Sequence, residues 1–385
     1  MLKRKLSALL AYNIVDAVAW GVFWTFIYAY LYDIGASFLQ ISLLDSLAAL
    51  AYVASRVWGA ISDYYGVRRP FIVLGEVLAS VPIFMCLLWP EEINFLIGLY
   101  ALSCVFWSIS NVAYLASLTS VRKVGFTLGL GFMVGEFGWS LGCTLMGFIY
   151  AYFGFKGTII LPSVLLLVAS LIILVVYPKE EVSKGKSLIE YLKPTFTFHF
   201  RAYKGFGYLL IHTFISQFAL QWCGPLLRTR MYILFGCSKV TLSILFGLTS
   251  IISALSSSFV AGKLADKIGG VKLAFIASAM YVFYIPAFAL INNQAVCSVL
   301  FLIPVWPLMM VGRLTAAAQL SDEKVRGEVM GSMDVFSSFG TFAGFLGGLF
   351  ADKFGLEFGL VLASPFFLAS IIPLVYVIKS RSEDC

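Results

Sequence analysis

The sequence predicts an all-α integral membrane protein with twelve transmembrane helices in two pseudo-symmetric halves of six. Three observations predict this class: an extremely apolar composition, regularly spaced apolar segments, and an internal repeat. Of the 385 residues, 61% are hydrophobic and 12% charged, and the mean hydropathy is +0.93. These values lie far outside those of a soluble domain. Because a membrane-spanning helix needs ~20 mostly apolar residues, this length accommodates about a dozen of them.

The apolar segments are separated by Gly, Pro or charged clusters. The first segment follows a basic start and is interrupted by Asn13 and Asp16, but it continues to Leu31. This length favours a retained first span over a cleaved signal peptide. We predict an N-terminal half at 1–178, a linker at 179–204 and a C-terminal half at 205–385. The predicted spans lie at roughly 6–32, 40–62, 70–89, 93–119, 125–152, 156–177, 205–235, 239–264, 271–291, 294–318, 327–353 and 357–378.

The distribution of basic residues predicts the topology. If the N-terminus is inside, all but five of the 27 Lys and Arg residues lie on the inner side or in the linker. Cytoplasmic loops retain such residues, so we expect a multi-pass protein of the cell membrane with both termini in the cytoplasm. The net charge of +7 then needs no nucleic-acid partner to explain it. The five outer residues are Lys156, Arg228, Arg230, Lys239 and Lys353.

The two halves repeat a short motif. Gly59-x-x-x-Asp63-x-x-Gly66 ends the second span, and the same pattern with Gly262, Asp266 and Gly269 ends the eighth. A second similarity links residues 147–155, which close span five, with residues 348–356, which close span eleven. Parallel repeats of six spans predict a pseudo-twofold axis along the membrane normal with a cavity between the halves.

With these residues, the chain resembles the major facilitator superfamily over essentially its whole length. The motif after span two matches the family signature, although Val67 replaces a usual basic residue and span four lacks an arginine common in proton-coupled exporters. The resemblance implies that the motif helps to close the cytoplasmic side; the alternative is that its residues serve only turns and topology. The implied cytoplasmic gate comprises Gly59, Asp63, Gly66, Arg68, Arg69, Gly262, Asp266, Gly269 and Lys272.

Carboxyl groups inside spans are costly and often functional. Asp16 and Glu136 each lie about 15 Å into a span, at 1.5 Å per residue, and Asp334 lies less deeply in span eleven. We predict these three as proton-coupling candidates; the alternative for Asp16 and Glu136 is a hydrogen bond between helices. Asp45 and Glu76 are expected nearer the span ends, within reach of water or headgroups.

The resemblance also implies that spans one, four, seven and ten line a solute cavity. Aromatic and amide side chains there suit an amphipathic, sugar-like or cationic solute, although aromatic residues also anchor and pack spans. Arg313 could attract an anion, but topology alone would also place it at the inner end of span ten. The cavity candidates are Asn13, Trp20, Trp24, Trp107, Asn111, Tyr114, Gln217, Gln221, Trp222, Trp306 and Met310.

We therefore expect a secondary active transporter working by alternating access. The glycine-rich span five favours proton-coupled export of amphipathic compounds. The alternatives are an importer of a sugar or organic acid, for which Gln217 and Gln221 are the chief evidence, and a non-transporting receptor or scaffold. The expected partners are a small-molecule solute, protons and the lipid bilayer, with no nucleic acid, and the chain is expected to be a monomer. No cofactor, metal or enzymatic activity is expected, since the seven cysteines form no C-x-x-C pair and no catalytic motif is visible.

Overall fold

The computed structural model describes residues 2–119, 124–182, 187–192, 205–321 and 326–382. Of the predicted linker, residues 183–186 and 193–204 lie outside this part. Every regular element in it is helical, so the all-α prediction is confirmed. The helices are α1 (Leu2–Asp33), α2 (Phe38–Ala48), α3 (Leu50–Tyr65), α4 (Arg69–Met85), α5 (Ile93–Thr119), α6 (Val124–Val176), α7 (Leu188–Leu192), α8 (Phe206–Leu234), α9 (Lys239–Ser256), α10 (Gly262–Ile268), α11 (Gly270–Leu290), α12 (Gln294–Phe301), α13 (Val305–Gln319), α14 (Arg326–Ala343), α15 (Leu346–Phe354), α16 (Leu356–Val361) and α17 (Ala363–Ser382).

Nine helical stretches in the described part are long and apolar enough to cross a membrane. One of them, Gly129–Val176, contains Gly154 at φ +59° and ψ −156°, which breaks α6 where the sequence predicts the boundary between spans five and six. Predicted span three corresponds to α4, which has 17 residues. Predicted span seven corresponds to α8. Each of the twelve predicted segments is therefore helical.

The helices group into two compact units. The first contains residues 1–34, 50–197 and 238–251, and the second contains 35–49, 198–237 and 252–385. The grouping follows the two sequence halves except at α2 and most of α9, which each belong with the opposite half. The predicted boundaries at 178 and 204 stay a prediction.

In the first unit, glycines of α6 allow a close approach to α1. A Cβ on Gly142 would lie 2.3 Å from the backbone oxygen of Val18, and one on Gly138 would lie 2.7 Å from that of Ile14. The glycine-rich run that suggested an exporter therefore has a packing role, because backbones separated by so little space leave no room for a side chain.

The second unit uses glycines in the same way. A Cβ on Gly312 of α13 would lie 2.6 Å from the backbone nitrogen of Ala274, and one on Gly347 would lie 2.3 Å from the backbone oxygen of Trp222. One hydrophobic core of this unit includes Trp222, Tyr281 and Phe367. The glycine contacts bring α13 close to α11 and α15 close to α8, and the core packs α8, α11 and α13 together.

Candidate functional site

Two carboxyl groups lie buried together in the first unit. Asp16 of α1 is 6% exposed and Glu76 of α4 is fully buried. The Tyr12 hydroxyl donates to Glu76 Oε1 at 2.6 Å, and the Trp107 indole Nε1–H donates to Asp16 Oδ1 at 3.1 Å. The two carboxyl groups are close enough to interact with each other electrostatically. We call Asp16 and Glu76 the acid pair.

The expectation that Glu76 lies within reach of water is wrong. Its neighbour Gly75 brings α4 against α5, where an added Cβ would be 2.4 Å from the backbone nitrogen of Ser110. Tyr12 covers the carboxyl group from α1, one helical turn before Asp16. Sequence position underestimated the burial because depth along a span does not reveal which face of the helix is packed.

No Lys or Arg neutralises the acid pair among the described residues. The ion pairs formed there join other side chains, and none includes Asp16 or Glu76. Glu76 Oε2 is buried without a hydrogen bond that meets ordinary geometry, as is the Trp20 indole nitrogen. Placing two negative charges there would combine desolvation with mutual repulsion.

The other predicted proton-coupling residues lie elsewhere. Glu136 is exposed on α6, outside the acid pair. Asp334 is exposed on α14, and its backbone oxygen accepts from the Ser338 hydroxyl at 2.6 Å. Their proton-coupling roles stay predictions.

Predicted cavity residues of the first unit surround the acid pair or pack nearby. The ring centroids of Trp20 and Trp107 lie 5.5 Å apart. Those of Tyr114 and Tyr12 lie 5.4 Å apart, with the two ring planes tilted against each other. Asn13 instead donates to the backbone oxygen of Gly131 at 2.7 Å, which ties α1 to α6. Asn111 and Trp24 are half-buried. The Trp24 ring packs on the rings of Trp139 and Phe246.

In the second unit, the predicted residues divide between core and polar positions. Trp222 lies in the core and donates to the backbone oxygen of Gly359 at 2.8 Å. Gln217 accepts from Arg313, while Gln221 is half-buried. Trp306 and Met310 are 41% and 40% exposed.

The motif after span two forms a turn with an internal ion pair. Gly66 adopts φ +66°, a left-handed conformation that suits glycine. Arg68 binds the Asp63 carboxylate and the Ser62 hydroxyl. The positive charge that compensates Asp63 therefore comes from Arg68 in the same loop.

Glu180 organises the same loop, and the sequence reasoning missed it. Its Oε2 accepts from the backbone nitrogens of Arg68 and Arg69 at 2.6 and 2.9 Å, where α4 begins without a cap of its own. Its Oε1 accepts from the Tyr177 hydroxyl at 3.0 Å and lies 3.9 Å from Lys5 Nζ. A carboxylate at a helix N-terminus compensates the unpaired N–H groups and the helix dipole. Nothing in its sequence neighbourhood distinguishes Glu180 from the adjacent Glu181.

We expect Glu180→Gln to lower the stability of the protein by about 1–2 kcal/mol, because it weakens a charged helix cap. The thermal unfolding midpoint of the purified protein in detergent measures this loss. Glu181→Gln is the matched control, since Glu181 is exposed one residue later. Equal midpoints for the two variants would contradict the capping role.

The second copy of the motif is built differently. Gly269 again has a positive φ, of +86°, but the backbone nitrogen of Gly270 donates to the side-chain oxygen of Gln319 at 3.2 Å. Asp266 and Lys272 are exposed. A neutral amide thus stands where the first loop uses a carboxylate, so the two loops are not equivalent electrostatically.

Charged pairs also lie at the opposite ends of the spans. In the second unit, Arg228 of α8 pairs with Asp45 of α2, and the Asp352 carboxylate accepts from the backbone nitrogen of Phe38 at 2.7 Å. In the first unit, Lys239 pairs with Asp33. Asp45 is therefore held in an ion pair with Arg228.

Comparison with known proteins identifies the family. The model of the Major Facilitator Superfamily matches residues 9–344 and, in a second match, 209–384. The chain belongs to the Major Facilitator Superfamily. As the sequence predicts, the described part has the helices of a multi-pass membrane protein.

Other members of the superfamily are similar to the chain. The "Multi-drug resistance efflux pump PmrA" of Streptococcus pneumoniae is 28% identical over 255 residues, which cover 61% of this chain and 59% of the pump. The chain thus matches about three fifths of the length of this curated relative. The nucleoside transporter NupG superposes with a TM-score of 0.76 at 11% identity, covering 97% of this chain and 99% of the other. A bacterial homologue of the human lysosomal transporter Spinster gives 0.73 at 13% identity, covering 98% and 96%. These structural similarities show the superfamily fold.

Proposed function

We propose that this superfamily member exports amphipathic compounds in exchange for protons, and that the acid pair carries the coupling proton. The observation that carries the proposal is the burial of Asp16 beside Glu76 without a cation in the described part of the chain. Because two buried negative charges repel each other strongly, the pair holds at least one proton when sealed from water. Contact with water on either side then allows that proton to exchange.

The hydrogen bonds of the pair suit proton transfer. Tyr12 and Trp107 supply one neutral donor to each carboxyl group. These donors stabilise a single negative charge without neutralising it, so gain and loss of a proton changes the net charge inside the span. A lysine or arginine in their place would hold both groups ionised and would remove this response.

The direction of transport rests on a different observation. The similar protein PmrA bears the name of a multidrug efflux pump, and this supports export. The alternative, import of a sugar or organic acid, depended chiefly on Gln217 and Gln221 of span seven. Gln217 is engaged by Arg313, which leaves import of a sugar with less support.

Transport into liposomes tests the proposal. The purified chain is placed in vesicles with an acidic interior, and three probes with the same ring are supplied outside: 2-naphthalenesulfonate, 2-naphthalenesulfonamide and (2-naphthylmethyl)trimethylammonium. Exchange for protons predicts that the gradient drives at least one probe inward above protein-free vesicles. Uptake only with an acidic exterior would overturn export in favour of symport. Counterflow without any pH response would indicate a uniporter, and no movement at all would favour a receptor or scaffold.

A further inference from the structure

A buried arginine in the second unit has only neutral partners at hydrogen-bond distance. Arg313 of α13 is 3% exposed. Its guanidinium donates twice to Gln217 Oε1, at 3.2 Å each, and once to the Ser216 hydroxyl at 3.4 Å. It also contacts the Met310 sulfur at 3.8 Å and lies 5.9 Å from the centre of the Trp306 ring.

The charge of Arg313 is not neutralised by a direct ion pair in the described part of the chain. The pairs of the second unit join Arg228 to Asp45 and Arg230 to Glu357. Asp334 and Tyr281 act on Arg313 electrostatically, but neither forms an ion pair or hydrogen bond with it. A buried cation with only neutral hydrogen-bond partners is costly, because these partners replace water poorly. A direct anionic partner would offset that cost.

The surroundings of Arg313 suit an anion attached to an apolar body. Trp306, Met310 and Arg313 lie at successive turns on one face of α13. Trp306 and Met310 are each about two-fifths exposed, so an aromatic ring and a thioether flank the guanidinium and remain available for contact. A planar guanidinium binds the oxygens of a carboxylate or sulfonate in a forked geometry, and the indole packs against an aromatic or aliphatic group.

Topology does not account for this arrangement. A basic residue that marks the inner side needs only to be near the end of its helix, whereas Arg313 is six residues before the end of α13 and nearly buried. Any exposed lysine would serve the topology equally well. The burial and the two bonds to Gln217 instead hold the guanidinium in one orientation.

We propose that Arg313, oriented by Gln217, is the anion-binding residue of the solute site, so that the transported class is amphipathic organic anions. This rests on the proposed export function and narrows its substrate. Gln217 is a positioning residue: its carbonyl oxygen turns the guanidinium while leaving the positive charge uncompensated. Trp306 and Met310 contact the apolar part of the solute.

Binding to the full-length protein in detergent tests this site separately from transport. Isothermal calorimetry compares 2-naphthalenesulfonate with the neutral sulfonamide and the cationic trimethylammonium probe, which share its ring. We expect the wild-type chain to bind the sulfonate at least about tenfold more tightly than the sulfonamide, a difference of 1.4 kcal/mol. Equal affinities for the sulfonate and the sulfonamide would overturn the proposal.

Two substitutions probe the residues themselves. We expect Arg313→Gln to remove the preference for the sulfonate. We expect Gln217→Glu to weaken sulfonate binding about tenfold or more, because the new carboxylate occupies the guanidinium while keeping the buried charge paired. Gln217→Glu also stays informative if Arg313→Gln fails to fold. Lys267→Gln, which removes an exposed cation of the same unit, is the control and should bind as the wild type does.

The outcomes separate this inference from the proposed export function. Undiminished sulfonate binding in Gln217→Glu would overturn the role of Arg313 even if a pH gradient still drives the neutral or cationic probe. Conversely, sulfonate binding that depends on Arg313 but no pH-driven movement of any probe would support the anion site and overturn proton-coupled export. Both measurements use the same protein preparation. Its elution in gel filtration shows whether a variant has lost folded protein.

Discussion

Asp16→Asn should reduce pH-driven solute uptake into vesicles to the rate of protein-free vesicles. The substitution keeps a hydrogen-bond acceptor for Trp107, which bonds Asp16 Oδ1 at 3.1 Å. It removes one of the two groups that share the proton. The remaining Glu76 then lies beside a neutral amide, so the paired proton exchange is lost while the local packing is preserved. The measurement is initial uptake with an acidic interior.

Two further variants make this result specific. Glu92→Gln is the control, because Glu92 is exposed in the loop between α4 and α5, and it should transport as the wild type does. Since the two acids act as a unit, Glu76→Gln should lose as much as Asp16→Asn, and the double variant should lose no more. Full gradient-driven uptake by Asp16→Asn would refute the acid pair as the coupling site.

Gly142→Val should cause the largest loss of stability among the glycine substitutions of the first unit. Its new Cβ would lie 2.3 Å from the backbone oxygen of Val18 and 3.0 Å from two further backbone atoms of that residue. Backbone atoms cannot rotate away as a side chain can, so α1 and α6 must separate. Overpacking of this kind costs about 1–3 kcal/mol or more. The yield of monodisperse protein and its unfolding midpoint in detergent report the loss.

Gly98→Ala provides the contrast within the same unit. A Cβ on Gly98 of α5 would meet no heavy atom within 4 Å. Alanine also favours the helix over glycine by roughly 0.5–1 kcal/mol. We therefore expect Gly98→Ala to keep or raise the midpoint. A midpoint for Gly142→Val equal to that of the wild type would show that the contact between α1 and α6 is looser than the structure indicates.

The repeat and the apolar segments were sufficient to predict the superfamily and the helices. The matching motifs at Gly59 and Gly262 are local in sequence, and so is an apolar run, so both can be read without tertiary contacts. Asp16 was also found in this way, because a carboxyl group in the middle of a span is conspicuous. Glu76 was misjudged, since its burial depends on Gly75 packing against Ser110.

The amino-acid sequence alone determined the membrane class, the number of predicted spans, the superfamily resemblance and one member of the acid pair. The tertiary structure decided which polar groups meet: Glu76 beside Asp16, Glu180 at the start of α4, and Gln217 against Arg313. The physical reason is that hydropathy and motifs are properties of neighbouring residues. The electrostatic state of a buried charge depends instead on partners from other helices, which are brought within about 3–4 Å only by packing.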